Sequence, residues 1–517
     1  MFKNVLLTLL VVLAVGTVGA YGQVCPLNGT TSGKLVCLIP QVYGPYGFGY
    51  GAPGQTPQQS ILYTGDGHAA HFSSDFLSAF APINEAVGIQ VSELPLASPS
   101  SSVSFTYNSA LKTFEPSTEE SLGPILGDRA TTSGRHRLFL GFSYQYFTFS
   151  SIDGQDLHNI PTVLQHQPFP PDPPKFPSCV NPTALAGTKY STSAGVDPCF
   201  VRDYIQTSND IDLGVHQYTI YVTYGITQNL DVSAAIPLLN VQMNVTSTAT
   251  IIPNSVAPAI LNAPGNVWHS FNPSNPLLAQ CAATAQGQAC LKAVFADGSS
   301  ASGIGDLILR GKYTVHQWER AGVAVGVDVR LPTGDALNFL GSGAVGVKPF
   351  GVFSYRARVS PHAEIGYEIN GDSTLAGNNI VSPPSGTAVT AKSSIPNRLL
   401  YVVGADVRVT KRLTGAFDIY GQRLFSAPEL VSQPYTDYGN CSGTTNAAGV
   451  VCTVYKPGTT HPDIANKTTN IGINDASLGL RVRVFQRLVA TGNVLIKMDD
   501  GGLRSRVVPL VGLSYSF

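Results

Sequence analysis

The strict two-residue alternation that closes the chain limits its fold more than any other feature. In Arg506-Val-Val-Pro-Leu-Val-Gly-Leu-Ser-Tyr-Ser-Phe517, the side chains of Val507, Pro509, Val511, Leu513, Tyr515 and Phe517 fall on one face. Arg506, Val508, Leu510, Gly512, Ser514 and Ser516 fall on the other. Successive side chains of a strand point to opposite faces, so one face is apolar and aromatic and the other mostly small or polar. The length suits a tilted transmembrane strand, which needs roughly nine to eleven residues. Taken alone, such a strand belongs more readily to a soluble sandwich, so recurrence has to decide.

The pattern recurs along most of the chain. It returns over Arg137–Phe149, Val215–Ile226, Leu230–Leu238, Asp306–His316, Val323–Leu331 and Val347–Val359. It continues over Ala363–Ile369, Leu399–Val409, Leu413–Tyr420, Ala476–Val484 and Leu488–Met498. With the closing strand this predicts about twelve strands, or fourteen if a small hairpin at Val103–Tyr107 and Thr113–Pro116 joins. A change of phase near Pro237 predicts a bulge there.

The connections separate a sandwich from a barrel. Every second one is very short: near Gln228, Trp318–Gly322, Ser360-Pro361, Lys411-Arg412 and Gln486-Arg487. Those between are mostly long, at Ser150–Asp210, Thr246–Ser302, Asn370–Pro396 and Ser426–Asn470. Pro332–Gly343 and Asp500–Arg504 are shorter. Short periplasmic turns alternating with longer extracellular loops are a property of outer-membrane barrels, and a sandwich predicts no such alternation. The fold class expected is an all-β, antiparallel transmembrane β-barrel with an N-terminal plug-like segment and long disulfide-bearing extracellular loops. Mean hydropathy is only +0.11, as expected when lipid-facing and lumen-facing residues average out.

The N-terminus reads as export machinery. Lys3, the apolar run Val5–Val18 and Ala20-Tyr21-Gly22 make residues 1–22 a secretory signal. Residues 23–134 form a periplasmic or plug segment, and 135–517 the barrel. In the former, Ser74–Glu93 predicts a helix, with Pro82 at its start and Ile83, Ala86, Val87 and Val91 as an apolar stripe. The eight cysteines fall in four close pairs, Cys25/Cys37, Cys179/Cys199, Cys281/Cys290 and Cys441/Cys452. Even, local pairing after a signal sequence points to disulfides in an oxidising compartment.

Charge follows the same parity. Arg310, Lys312, Asp328, Arg330, Lys348, Arg356, Glu364, Glu368, Asp406, Arg408, Arg481, Arg483 and Lys497 all lie opposite the apolar face. In a barrel they line the lumen, as a solute path or as an ion-pair network stiffening the wall. Their basic excess predicts a mild anion preference. A tight turn at Trp318–Gly322 would set Lys312 opposite Asp328 and Arg310 near Arg330. Tyr146, Tyr224, Tyr313, Tyr355, Tyr367, Tyr401 and Tyr515 sit near outer-face strand ends, as an interfacial girdle requires.

The block Gly305-Asp-Leu-Ile-Leu-Arg-Gly-Lys-Tyr, with Gly326-Val-Asp-Val-Arg-Leu-Pro-Thr-Gly-Asp335, Gly343–Tyr355 and Pro361-His-Ala-Glu-Ile-Gly-Tyr367, resembles a bacterial outer-membrane transporter family. That family is labelled for the MetA pathway of phenol degradation, and it has a looser likeness to FadL-type channels. The resemblance implies a bacterial outer-membrane location and passive uptake of small, hydrophobic or aromatic solutes. It supplies no catalytic motif. The terminal Phe517 resembles the signal that the outer-membrane assembly machinery reads.

Other motifs carry less. Gly341-Ser-Gly-Ala-Val-Gly346 matches a dinucleotide loop in letters, but runs into an alternating strand rather than a helix. Asp66-Gly-His-Ala-Ala-His71 is too loosely spaced for a metal site. No G-x-S-x-G elbow is present, so no enzyme, metal or cofactor is expected. A net charge of −1 predicts no nucleic-acid partner. The expected partners are outer-membrane lipid, the assembly machinery and a small solute. The alternative is a structural or adhesive barrel whose long loops bind an external partner.

Overall fold

The computed structural model describes residues 33–44, 121–165, 203–254, 269–282, 289–375, 393–437, 457–485 and 487–517. It also describes isolated positions between 56 and 95 and the backbone of strands Phe105–Asn108, Thr113–Pro116, Asn440–Asn446 and Gly449–Lys456. The signal sequence, the Asp66–His71 stretch and the Cys179–Cys199 pair lie outside these residues, as do the side chains of Cys441 and Cys452.

Twelve antiparallel strands close into a barrel. They are β1 (Leu138–Ile152), β2 (Tyr204–Gly225), β3 (Leu230–Ile252), β4 (Leu307–Gln317), β5 (Ala321–Leu331) and β6 (Gly346–Tyr355). The series continues with β7 (Val359–Asn370), β8 (Arg398–Arg408), β9 (Leu413–Ser432), β10 (Ile464–Arg483), β11 (Leu488–Lys497) and β12 (Val507–Ser516). Each pairs with its sequence neighbours, and β12 pairs with β1 from Leu510↔Gln145 to Ser516↔Phe139, which closes the ring. The Phe517 amide extends this seam by donating to the Leu138 carbonyl at 2.8 Å. Closure leaves no edge at bilayer depth, which a β-structure in lipid requires. The early hairpin forms a sheet of its own, so the count stays at twelve.

The outer face carries the apolar parity. Ile220, Val325, Val327, Phe353, Ile365, Val403, Phe417, Leu478, Leu480, Val511 and Leu513 are all exposed. Tyr224, Tyr313, Tyr515, Trp318 and Phe517 ring the end with the short turns, and Tyr218 and Tyr367 the other. From Tyr224 to Tyr218 the strand covers roughly 20 Å at about 3.3 Å per residue, close to the apolar band of outer-membrane barrels. A barrel with this belt belongs in the bacterial outer membrane, with its turns toward the periplasm.

β2 and β3 run for 22 and 23 residues. At about 3.3 Å each they reach more than twice the thickness of the hydrocarbon core, so they project beyond the outer surface. Strand Lys292–Ile304 extends the sheet on β3, and Ile160–Gln165 extends it on β2. The predicted phase change at Pro237 does not occur. β3 stays in register with β2 through Thr219↔Pro237 and Tyr218↔Leu238, and odd positions remain inside on both sides of it. What changes there is the surroundings: past Leu238 the strand leaves the bilayer, and apolar residues move to the inner face.

That inner face builds the main apolar core. Val241, Met243 and Val245 pack with Leu35, Ile39 and Tyr43 of the N-terminal segment and with Phe271 and Phe295. The Tyr43 ring meets Phe295 edge to face at 4.8 Å, and its hydroxyl bonds Ser247. Cys281–Cys290 is disulfide-bonded under this cap, and Cys37 is also disulfide-bonded.

Candidate functional site

Described residues of the segment preceding β1 lie inside the barrel and its extracellular extension. Among them, Lys34–Tyr43 lies at the extracellular end, where Lys34 pairs with Asp335 at 2.8 Å. Residues 83 and 86–91 are helical, and the expected stripe of Ile83, Ala86, Val87 and Val91 is buried. Pro95 accepts from Gln145 Nε2 at 3.0 Å. Ser121–Ser133 then crosses the lumen, and His136 N donates to Gly225 O beside the first strand at the periplasmic end.

Inward side chains of six strands hold Ser121–Ser133 by hydrogen bonds and ion pairs. Leu122 N donates to Thr414 Oγ1 at 2.9 Å, Leu126 N to Asp418 Oδ2 at 3.3 Å, Ala130 N to Ser354 Oγ at 3.1 Å and Ser133 N to Asp231 Oδ2 at 2.8 Å. Arg481 Nη1 donates to Leu122 O at 2.9 Å. Lys312 Nζ reaches Asp128 Oδ1 at 3.0 Å and the carbonyls of Arg129 and Thr131. Arg129 pairs with Asp406 at 3.0 Å. Asp406 and Asp418 flank His362, whose Nε2 is 2.8 Å from Asp418 and whose Nδ1 is 3.4 Å from Asp406. Gly127 lies against that imidazole, where a Cβ would come within 2.8 Å of His362 Cδ2, so only glycine brings the backbone this close.

Beside this segment an ion-pair ladder crosses β4 to β8. Arg310 donates to both oxygens of Asp328, at 2.7 and 2.8 Å, and to Asp128 at 3.1 Å. Its guanidinium lies 4.6 Å from the centre of the Phe350 ring. Lys348 shares Asp328 at 2.9 Å. Arg398 Nε donates to Glu368 at 2.8 Å, and Arg330 approaches the same carboxylate at 3.3 Å. Pairing of this kind offsets the cost of burying these charges.

The ladder walls a cavity of about 120 Å³. Apolar and aromatic residues complete its lining: Leu94 and Leu126 from the N-terminal segment, Ile308 and Val402 interspersed among the ladder charges as register partners of Arg330 and Glu364, and Tyr221 and Tyr420 on β2 and β9. Of the residues predicted to line the lumen, Arg310, Asp328, Arg330, Lys348, Glu364 and Glu368 meet at this cavity. Lys312, Asp406 and Arg481 instead grip the N-terminal segment. Arg356 lies in the turn after β6 and donates to Trp318 O and Glu319 O. Arg408 and Arg483 end their strands at the periplasmic rim, and Lys497 ends β11 at the opposite end, paired with Asp500 at 2.6 Å.

One register expectation is corrected. Asp328 faces Arg310 rather than Lys312, which stands opposite Gly326, because a bulge at Val323/Ala324 shifts the β4–β5 ladder. Asp128 lies in the irregular segment, where parity has no reach, and Asp418 shares the inward parity of β9 without being in the predicted set; both add carboxylates. Arg398 belongs to the set and lies one residue ahead of the predicted start of β8. Gly341–Gly346 forms a loop entering β6, with Gly343 at φ +69°, and not a helix-capped phosphate loop.

No family model matches the chain, and no curated protein does either. Solved structures similar to it include the COG4313 outer membrane channel from Pseudomonas putida F1, with TM-score 0.38 and 10% identity over 76% of this chain and 99% of that one. A Pseudomonas aeruginosa FadL homologue has TM-score 0.28 and 8% identity over 74% and 90% of the two chains. The Ralstonia pickettii toluene transporter TbuX has TM-score 0.25 and 11% identity over 74% and 90%.

Proposed function

We propose that this barrel is a passive outer-membrane channel for small apolar or aromatic solutes, and that Ser121–Ser133 is its plug. The observation that carries the reading is the cavity inside the barrel, lined by ion pairs and by apolar and aromatic side chains together. A purely structural barrel would gain more from filling that space with side chains. The sequence resemblance implies the same solute class. Uptake of benzyl alcohol by cells carrying the chain, compared with cells carrying an empty vector, tests transport across an intact outer membrane. Equal rates would remove the channel reading. They would leave the runner-up, a surface barrel whose loops bind an external partner.

Phe517 acts in assembly, consistent with the hydrogen bond that its amide adds to the closing seam. Deleting it should lower the amount of folded barrel more than the transport per folded molecule.

A further inference from the structure

Glu364 differs from every other carboxylate at the cavity. Asp328 and Glu368 each accept hydrogen bonds from Arg. Glu364 also lines the cavity, its side chain is only 11% exposed, and no hydrogen bond of the described residues ends on it. Its nearest cation is Arg310 Nη2 at 3.9 Å, and that guanidinium is already committed to Asp328 and Asp128. A buried carboxylate without donors is costly, and an incoming donor relieves that cost.

Charge balance selects the kind of donor. Around the cavity Arg310, Lys312, Arg330, Lys348 and Arg398 meet Asp128, Asp328, Glu364 and Glu368, five cations against four carboxylates. An ammonium would add to that positive excess. A carboxylate would confront Glu364 itself. An uncharged hydroxyl or N–H adds a hydrogen bond and leaves the balance intact. Val402, the cross-strand partner of Glu364, together with Ile308 and with Leu94 and Leu126 of the N-terminal segment, offers contact to an apolar body. At about 120 Å³ the space is close to the roughly 150 Å³ of an engineered apolar cavity that takes up benzene.

We propose that Glu364 is a specificity-determining residue that accepts a hydrogen bond from an uncharged, single-ring solute bearing a hydroxyl or N–H donor. This rests on the lumen cavity being the solute path. The test is equilibrium binding to the purified full-length barrel in nanodiscs, with benzyl alcohol, benzyl methyl ether, benzylammonium and benzoate as probes. Benzyl alcohol should bind roughly tenfold tighter than its methyl ether, which lacks the donor, the ratio that one hydrogen bond to a charged acceptor gives. Glu364→Leu should erase that ratio. Glu364→Gln, which keeps the shape and a weaker acceptor, should retain part of it and guards against a packing artefact. An unchanged ratio in Glu364→Leu overturns the proposal, as does tighter binding of benzylammonium or benzoate than of benzyl alcohol. Uptake by cells separates the two readings: selective binding without uptake defeats the channel and leaves the site, while uptake without selective binding does the reverse.

Discussion

β2 and β3 carry two opposite polarity patterns on one uninterrupted ladder. At bilayer depth, Tyr218, Ile220 and Tyr224 face outward while Gln217, Thr219 and Thr223 face the lumen. A few residues further out, Ile211, Leu213, Val241 and Met243 face inward while Asp210, Asp212, Gln242 and Asn244 face out. The parity is constant and the solvent is inverted: lipid outside a polar bore below, water outside an apolar core above. The two regions therefore hold the N-terminal segment by different forces. Below, Ser121–Ser133 is fixed by ion pairs and hydrogen bonds; above, Lys34–Tyr43 is fixed by apolar packing.

The sharpest way to break this contrast is Asp128→Ala. It strips two buried cations, Arg310 and Lys312, of a shared partner and should cost about 3–5 kcal/mol. Urea titration of the folded barrel would show the loss, and planar-bilayer conductance should rise as the plug loosens. Next, Tyr43→Ala should remove about 3 kcal/mol from the upper core and leave conductance near the wild-type level. A rise equal to that of Asp128→Ala would mean that the two anchors are one. Leu480→Arg on the lipid belt should cost about 2–4 kcal/mol, whereas Gln242→Arg on the projecting face should stay within about 0.5 kcal/mol. Equal costs would dissolve the boundary placed at Leu238. The smallest effect belongs to Lys34→Ala, whose half-exposed pair with Asp335 is worth at most about 1 kcal/mol and less in high salt.

The twelve strands were legible because alternation is imposed by geometry, and lipid and lumen make it visible in residue type. Wall charges such as Arg310, Asp328 and Glu368 were legible by the same parity. Their partners were less so. Asp128 and Arg129 sit in an irregular segment with no period, and they meet Lys312 and Asp406 from 184 and 277 residues away. The Val323/Ala324 bulge moved the cross-strand pairs by an amount that no pattern in Val323–Leu331 announces. At Pro237 an inverted environment mimicked a slipped register, since Leu239 and Val241 are apolar for a different reason than Val232 and Ile236.

The path of the N-terminal segment has a further consequence, for the order of assembly. The segment's described residues run from the extracellular mouth at Lys34–Tyr43 through the lumen at Ser121–Ser133 to the periplasmic rim where β1 begins, so the ring is closed around this part of its own leader. Were β1 and β12 zipped first, the leader would have to be fed through a bore that the finished molecule fills. Laid in place beforehand, it needs no such passage, and the ladder from Leu510↔Gln145 to Ser516↔Phe139 is then the last to form.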